Sequence, residues 1–153
     1  MKTFKYSSLI NADVRTVWQF HERDDILDIL TPPWQPVKVI RREGGLAAGA
    51  ISEFRLFLLF IPVTWIAKHT ECQIYKLFID RQEQGPMKSW VHYHEFEPEG
   101  EQKMRLTDRI NYELPGGWLA ELILGWWVNA RLKDMFRYRH QVTKQECEKL
   151  SSS

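Results

Sequence analysis

The amino-acid sequence predicts an α+β fold in which a curved antiparallel sheet of about seven strands wraps around a long C-terminal helix, with one or two short helices after the first strand. Three observations carry this. Residues 37–114 form a succession of short segments with period-two hydrophobicity, separated by turn residues. The last of them alternates so cleanly that one of its faces must meet water. After it, Pro115-Gly116-Gly117 opens a helical stretch whose first part, WLAELILGWWV, is apolar nearly all round. Such a helix needs cover over most of its circumference, and a sheet with one dry face needs a partner, so each answers the other's need.

Taken in order, Phe4, Tyr6 and then Ser8 alternate with their neighbours and predict the first strand. Asn11-Ala12-Asp13 supplies capping side chains, and Val14, Val17, Trp18 and His21 follow at helical spacing, so a helix begins near Asp13. A second short helix is expected over 24–30, stopped by Thr31-Pro32-Pro33. Strands are expected over 37–42, over 50–60 with a break at Pro62, over 64–75, and over 77–84 up to the Gly85-Pro86 turn. Residues 89–97 place Trp90, His92, His94 and Phe96 on one face, and Pro98-Glu99-Gly100-Glu101 reads as a hairpin turn. Residues 103–114 answer with Met104, Leu106, Asp108, Ile110, Tyr112 and Leu114 on one face. Lys103, Arg105, Thr107, Arg109, Asn111 and Glu113 take the wet face. The terminal helix is expected over 118–145, with Val128, Leu132, Met135, Phe136 and Arg139 on its inner stripe. The pattern contains no repeat or linker; a single domain is expected over 1–147 and a frayed tail over 148–153.

Composition narrows the function classes. With 44% apolar and 27% charged residues the chain is globular rather than disordered. Seven Trp, eight Phe and five Tyr are more large rings than a small core usually needs, which suits either an aromatic-rich core or a wide internal surface around a guest. A net charge of +1 provides no field that would steer the protein to nucleic acid. Cys72 and Cys147 lack metal-type spacing and are expected to be reduced thiols in a cytoplasmic protein. The segment MKTFKYSSLI lacks the apolar core of a signal peptide, and no run approaches the roughly 18 apolar residues of a membrane span. Phe57, Leu58, Leu59, Phe60 and Ile61 are nonetheless unusually greasy for a connection. They either pack under the helix or form a lip that touches a membrane or partner while a lipid is loaded.

The residues that could carry chemistry gather on the predicted inner faces. His92 and His94, two apart on a strand, project to the same side, Asp108 lies on the inward face of the next strand, and Asp80 and Gln82 share parity with Phe78. If those strands are neighbours, two imidazoles, two carboxylates and an amide enter one apolar concavity, where they must bond to one another or to a ligand. Three readings stay open: a polar network that ties strands together, ligand recognition, or an acid–base pair made of His92 or His94 and Asp108. His-x-His near an Asp is also a pattern that binds zinc or iron, but the usual companion ligands are missing and His69 and His140 stand isolated, so no metal is expected. There is no Gly-x-Ser-x-Gly elbow and no phosphate-binding glycine loop, and no cofactor is expected.

Several stretches resemble a known superfamily. They are Phe78-Ile79-Asp80-Arg81-Gln82, Gly85-Pro86, Trp90-Val91-His92-Tyr93-His94-Glu95-Phe96, Met104, Thr107-Asp108, Tyr112, Leu114-Pro115-Gly116 and Phe136-Arg137-Tyr138-Arg139. With the order of elements, they are similar to the helix-grip superfamily of START lipid-transfer domains, plant pollen allergens and polyketide cyclase/dehydrases, and most of all to its small stand-alone bacterial ligand-binding branch. The resemblance implies a helix-grip fold with an apolar cavity between sheet and terminal helix. It implies a carrier or sensor of a hydrophobic small molecule such as a lipid, isoprenoid or polyketide-like ring. The alternatives are a cofactor-independent cyclase/dehydratase using His92, His94 and Asp108, and a protein-interaction module with a closed cavity. The ligand-contacting set expected on this basis is Trp65, Phe78, Asp80, Gln82, Trp90, His92, His94, Phe96, Met104, Asp108, Tyr112, Trp126, Phe136 and Arg139.

Overall fold

The computed structural model describes residues 1–58 and 60–152. The chain forms β1 (Lys2–Ile10), α1 (Val14–His21), α2 (Ile26–Ile29), β2 (Val37–Glu43), β3 (Ile51–Leu58), β4 (Ile61–Gln73), β5 (Leu77–Gln84), β6 (Ser89–Gly100), β7 (Lys103–Glu113) and α3 (Gly117–Ser152). The strands make one seven-stranded antiparallel sheet in the order β1-β7-β6-β5-β4-β3-β2. Consecutive hairpins build it from β2 to β7, and β1 closes the far edge by pairing along β7 from Lys2↔Tyr112 to Ile10↔Met104. This is the expected α+β helix-grip architecture, a curved sheet with a long C-terminal helix.

Local chemistry explains the joints. Asp13 caps α1 by accepting the Thr16 N–H at 2.7 Å. Gly44 and Gly45, both at positive φ, turn β2 toward β3. Two apolar clusters pack between helices and sheet. One gathers Trp18, Phe78, Phe96, Met104, Leu106 and Cys147. The other gathers Phe4, Ile110, Tyr112, Leu132 and Phe136. Helix α3 rests on β1, β7 and α1.

Four expectations need correction. Pro62 does not break a strand: it lies inside β4, opposite Phe57. Because β5 pairs with β4 only from Ile66 onward, one flank of Pro62 has no partner strand to satisfy. Pro98 and Gly100 belong to β6, with a register shift between them, so the turn narrows to 101–102. Helix α3 runs on to Ser152, with Thr143 and Cys147 buried, so residues 148–152 are helical rather than a frayed tail; Ser153 lies outside the described residues. Finally, the apolar first turns of α3 are not covered. Trp118, Leu122 and Trp126 are 76%, 70% and 71% exposed, and Leu119, Ile123, Leu124 and Trp127 are exposed with them. At 36 residues, α3 spans about 54 Å against about 37 Å for β7, so the rod must overhang, and its C-terminal half is the part held by α1 and β1.

The antiparallel order sorts the connections. The tip of the β3–β4 hairpin, the start of β2, the end of β7 and the start of α3 share one end of the sheet. Helix α1 and the β2–β3, β4–β5 and β6–β7 turns share the other.

Candidate functional site

Register decides what the inner face presents. Asp80 on β5 lies opposite His92 on β6, and His94 lies between Phe78 on β5 and Asp108 on β7. All four polar side chains therefore project from neighbouring strands into one spot. His92 donates from Nε2 to Asp108 Oδ1 at 2.7 Å, and His94 donates from Nε2 to Asp80 Oδ2 at 2.7 Å. His94 Nδ1 is 3.2 Å from Asp108 Oδ1, and His92 Nδ1 is 3.9 Å from Asp80 Oδ2. Each imidazole thus turns one nitrogen toward Asp80 and the other toward Asp108. The two rings lie 3.6 Å apart, and Phe78 stacks on the outer side of His94 at 3.9 Å.

Helix α3 and strand β1 complete the cluster. His140 donates from Nε2 to Asp108 Oδ2 at 2.5 Å, and the Ser8 hydroxyl meets His140 Nδ1. Asp108 consequently faces three imidazoles. Burial disfavours its charge, but the hydrogen bonds from His140, His92 and His94 hold its carboxyl well below the ordinary range. Burial likewise acts against the Asp80 carboxylate and is outweighed by the bond from His94, so its pKa also falls. Burial pushes His92 down, helped by the adjacent His94 and against the Asp108 bond. For His94 the bonds to Asp108 and Asp80 overcome burial and hold the imidazole up at about 9. Arg139, one residue before His140, lies 5.4 Å over the Phe136 ring, and its Nε is buried without a hydrogen-bond partner. Burial lowers its pKa, and Asp108 and Asp80 work against that loss.

Beside this cluster a row of rings crosses the same face of the sheet. Phe54 stacks on Trp65 at 6.0 Å, Trp65 meets Trp90 edge-on at 5.1 Å, and Trp90 lies 6.2 Å from Tyr112. Phe54 and Trp90 stay partly exposed because α3 covers the β1–β7 side of the concavity rather than the β2–β4 side. Trp90 meets His92 edge-on at 6.5 Å, joining the row to the polar cluster, and Phe136 of α3 meets the same His92 edge-on at 5.3 Å.

The residues singled out from the sequence fall into distinct places. Asp80, His92, His94, Asp108, Phe78, Phe136 and Arg139 come together, and Trp65, Trp90 and Tyr112 form the adjoining row. Phe96 and Met104 pack in the cluster around Trp18, toward the α1 end. Gln82 ties the β5–β6 turn, donating to Met87 O at 2.8 Å and accepting from Met87 N at 3.2 Å. Trp126 is not inside: it points outward and lines an external cleft of about 760 Å³ with Lys2, Tyr112, Trp118 and Leu122. Phe57, Leu58, Phe60 and Ile61 are exposed, Phe60 almost fully at 95%, while Leu59 lies outside the described residues. These four therefore do not pack under the helix.

His140 is not isolated, as its sequence position implies, but belongs to the polar cluster, and Ser8, which the sequence does not single out, belongs to it too. Both carried a signal. His140 follows Phe136 by one helical turn, and Ser8 has the parity of Phe4 and Tyr6 on β1. What was missing was the contact between α3 and β1, which no local pattern encodes.

Among known proteins, a family model described as polyketide cyclase / dehydrase and lipid transport matches residues 10–146. No curated protein sequence matches the chain. Among solved structures, the protein TTHA0849 from Thermus thermophilus superposes with a TM-score of 0.75 at 17% identity, covering 98% of this chain and 99% of that one. The aromatase/cyclase ZhuI from Streptomyces sp. R1128 gives 0.73 at 13% identity, with 96% and 93% covered. Norcoclaurine synthase from Thalictrum flavum gives 0.70 at 12% identity, with 96% and 87% covered. At these identities the structural likeness concerns the fold.

Proposed function

The chain belongs to the polyketide cyclase/dehydrase and lipid transport family, and on that premise we propose that it binds a hydrophobic small molecule, a lipid, isoprenoid or polyketide-like ring, between the sheet and α3, as a carrier or sensor. The observation that carries this reading is the partly uncovered row Phe54-Trp65-Trp90-Tyr112, together with the buried, unpartnered Nε of Arg139 over the Phe136 ring. Ligand sites are mainly apolar surfaces with a few placed polar groups, and a buried donor without an acceptor is costly until something supplies one. The ligand therefore offers an apolar body to the rings and an oxygen acceptor to Arg139. Native mass spectrometry of the purified protein, followed by extraction of what co-purifies, tests this. A bound apolar molecule lost in Trp90→Ala and Arg139→Leu supports it. A protein that carries nothing, and whose tryptophan fluorescence is unmoved by fatty acids, isoprenoids or aromatic polyketides, sinks it.

A second reading, a cofactor-independent cyclase/dehydratase, is favoured by the tautomers at the imidazole pair. His92 gives its Nε2 proton to Asp108, which leaves the lone pair on Nδ1 as a base, while His94 faces a carboxylate from each nitrogen and is the donor. His92 would take a proton beside a ketone, the C–O bond to a hydroxyl one carbon further on would break, and His94 would protonate the departing oxygen as water. Of the similar structures, one is by name an aromatase/cyclase and another a norcoclaurine synthase. Under this reading Asp108→Asn abolishes turnover of a β-hydroxyketone; under the carrier reading it only shifts affinity.

The carrier reading extends to a transient membrane contact during loading, through Phe57, Leu58, Phe60 and Ile61. These lie at the same end of the sheet as the bare turns of α3, with the exposed Lys38 and Arg55 beside them, which suits an anionic lipid surface. Phe60→Asp should then reduce co-sedimentation with anionic vesicles. No helix is long and apolar enough to cross a membrane among the described residues. The free thiols Cys72 and Cys147 fit the cytoplasm as the compartment.

A further inference from the structure

The geometry points to a transition-metal site at the imidazole pair, and we propose that Asp80 Oδ2, His92 Nδ1 and His94 Nε2 bind a divalent ion such as Zn²⁺ or Fe²⁺. The three donor atoms lie within 4.8 Å of one another. Asp80 Oδ2 is 2.7 Å from His94 Nε2 and 3.9 Å from His92 Nδ1. Metal–ligand bonds of about 2.0–2.1 Å in a tetrahedral site require donor separations of about 3.3 Å, so the observed spacings bracket what an ion needs. Two imidazoles and one carboxylate are donors that suit zinc and ferrous iron.

A second feature is independent of those distances. A histidine that ligates a metal nearly always gives its other ring N–H to a carboxylate or carbonyl, which orients the ring and raises its basicity. Here His92 does so, giving its Nε2 proton to Asp108 Oδ1 at 2.7 Å, and His94 Nδ1 lies 3.2 Å from that same oxygen. Asp108 is itself held from behind by His140 at 2.5 Å. The cluster therefore has a ligand layer facing Asp80 and a supporting layer centred on Asp108, contributed by β5, β6, β7 and α3.

The ion takes the place of the proton between His94 and Asp80. Three protein ligands leave a fourth position open, as in catalytic rather than structural zinc sites. The Asp80 and His94 side chains keep 12% and 13% exposure, so this position is reachable. With two carboxylates, Arg139 and a divalent ion the loaded cluster carries one net positive charge, which favours an anionic oxygen, hydroxide, carboxylate or enolate, as the fourth ligand. The inference does not rest on the apolar-ligand reading; a protein that binds the ion and no lipid upholds one and not the other.

The test uses the full chain after chelator treatment, titrated with Zn²⁺ by calorimetry and with Co²⁺ by visible absorption. One ion per chain is expected, with the intense Co²⁺ bands of a four-coordinate site. Asp80→Asn and His94→Gln should weaken binding at least a hundredfold, and Asp108→Asn, which keeps every ligand, about 10- to 100-fold. X-ray absorption of the Zn²⁺-loaded wild-type chain needs no variant and should show a shell of two imidazoles and oxygen. Absence of one-to-one binding by the wild type, a sulfur ligand from Cys72 or Cys147, or affinity unchanged in folded Asp80→Asn overturns the proposal.

Discussion

At the scale of single residues, the interior tolerates imidazoles only where a partner holds them. His21 shows the opposite extreme from His94. It is buried, donates from Nδ1 to Val17 O at 2.8 Å and packs edge-on against Phe96, with no carboxylate in bonding contact among the described residues. Burial, only partly offset by the Val17 bond, pushes its pKa from the ordinary 6.5 down to about 4. The folded state keeps His21 neutral through a pH range in which the unfolded chain takes up a proton. Its contribution is complete above pH 6.5 and is lost as pH falls from there toward 4, on the order of 3 kcal/mol at the limit. Urea midpoints at pH 7.5 and pH 4.5 should therefore diverge more for the wild type than for His21→Gln. Equal divergence would show that other groups account for the acid sensitivity.

At the scale of elements, α3 is two helices in one. Its C-terminal half is a packed stripe of Leu132, Phe136, His140, Thr143 and Cys147. Phe136→Ala should cost about 3–5 kcal/mol, since the ring is buried against Phe4 and His92. Trp126→Ser, at a side chain 71% exposed, should change stability by less than about 0.5 kcal/mol, despite removing the larger ring. The pair of urea titrations distinguishes packing from mere hydrophobicity. Gly125 is the point where the bare half of the helix meets the sheet edge. An added Cβ would come within 2.9 Å of Lys2 Cε, the far end of a flexible chain that can swing aside. Gly125→Ala is therefore expected to be neutral or to raise the denaturation midpoint, by up to about 1 kcal/mol from helix propensity. A loss would mean that Lys2 is more firmly held than its contacts suggest.

At the scale of the whole molecule, stability and exposure are polarised. Strand β7 lies between β1 and β6 beneath α3, and its inner face from Met104 to Tyr112 is buried. Strand β2 is an edge whose side chains are all at least partly exposed, and the β3–β4 tip next to it projects Phe60 and Ile61 into solvent. Native-state amide exchange should be slowest in β6 and β7 and markedly faster in β2 and the outer half of β3. Uniform protection across the sheet would contradict this division. The same polarity places the polar cluster in the best-buried part of the sheet, while the aromatic row reaches toward the more exposed part. A guest could enter over Phe54 and Trp90 without disturbing Asp108.

Periodicity alone determined a good deal: seven strands, their inner and outer faces, the cap at Asp13, and the sharing of one face by His92 and His94. These are properties of consecutive residues, fixed by the geometry of a strand or a helical turn. The helix-grip resemblance added the expected apolar cavity and its class of guest. Only the tertiary structure decided which apolar residues are inside. The segment WLAELILGWWV has the composition of a core and lies in water, because burial depends on whether another element reaches it and α3 outruns the sheet. Pro62 sits in a strand because its neighbour ends short of it. Likewise, His140 and Ser8 complete the polar cluster from positions 132 residues apart, a meeting set by how α3 lies on β1, and no local pattern of side chains encodes the docking of two elements so distant in the chain.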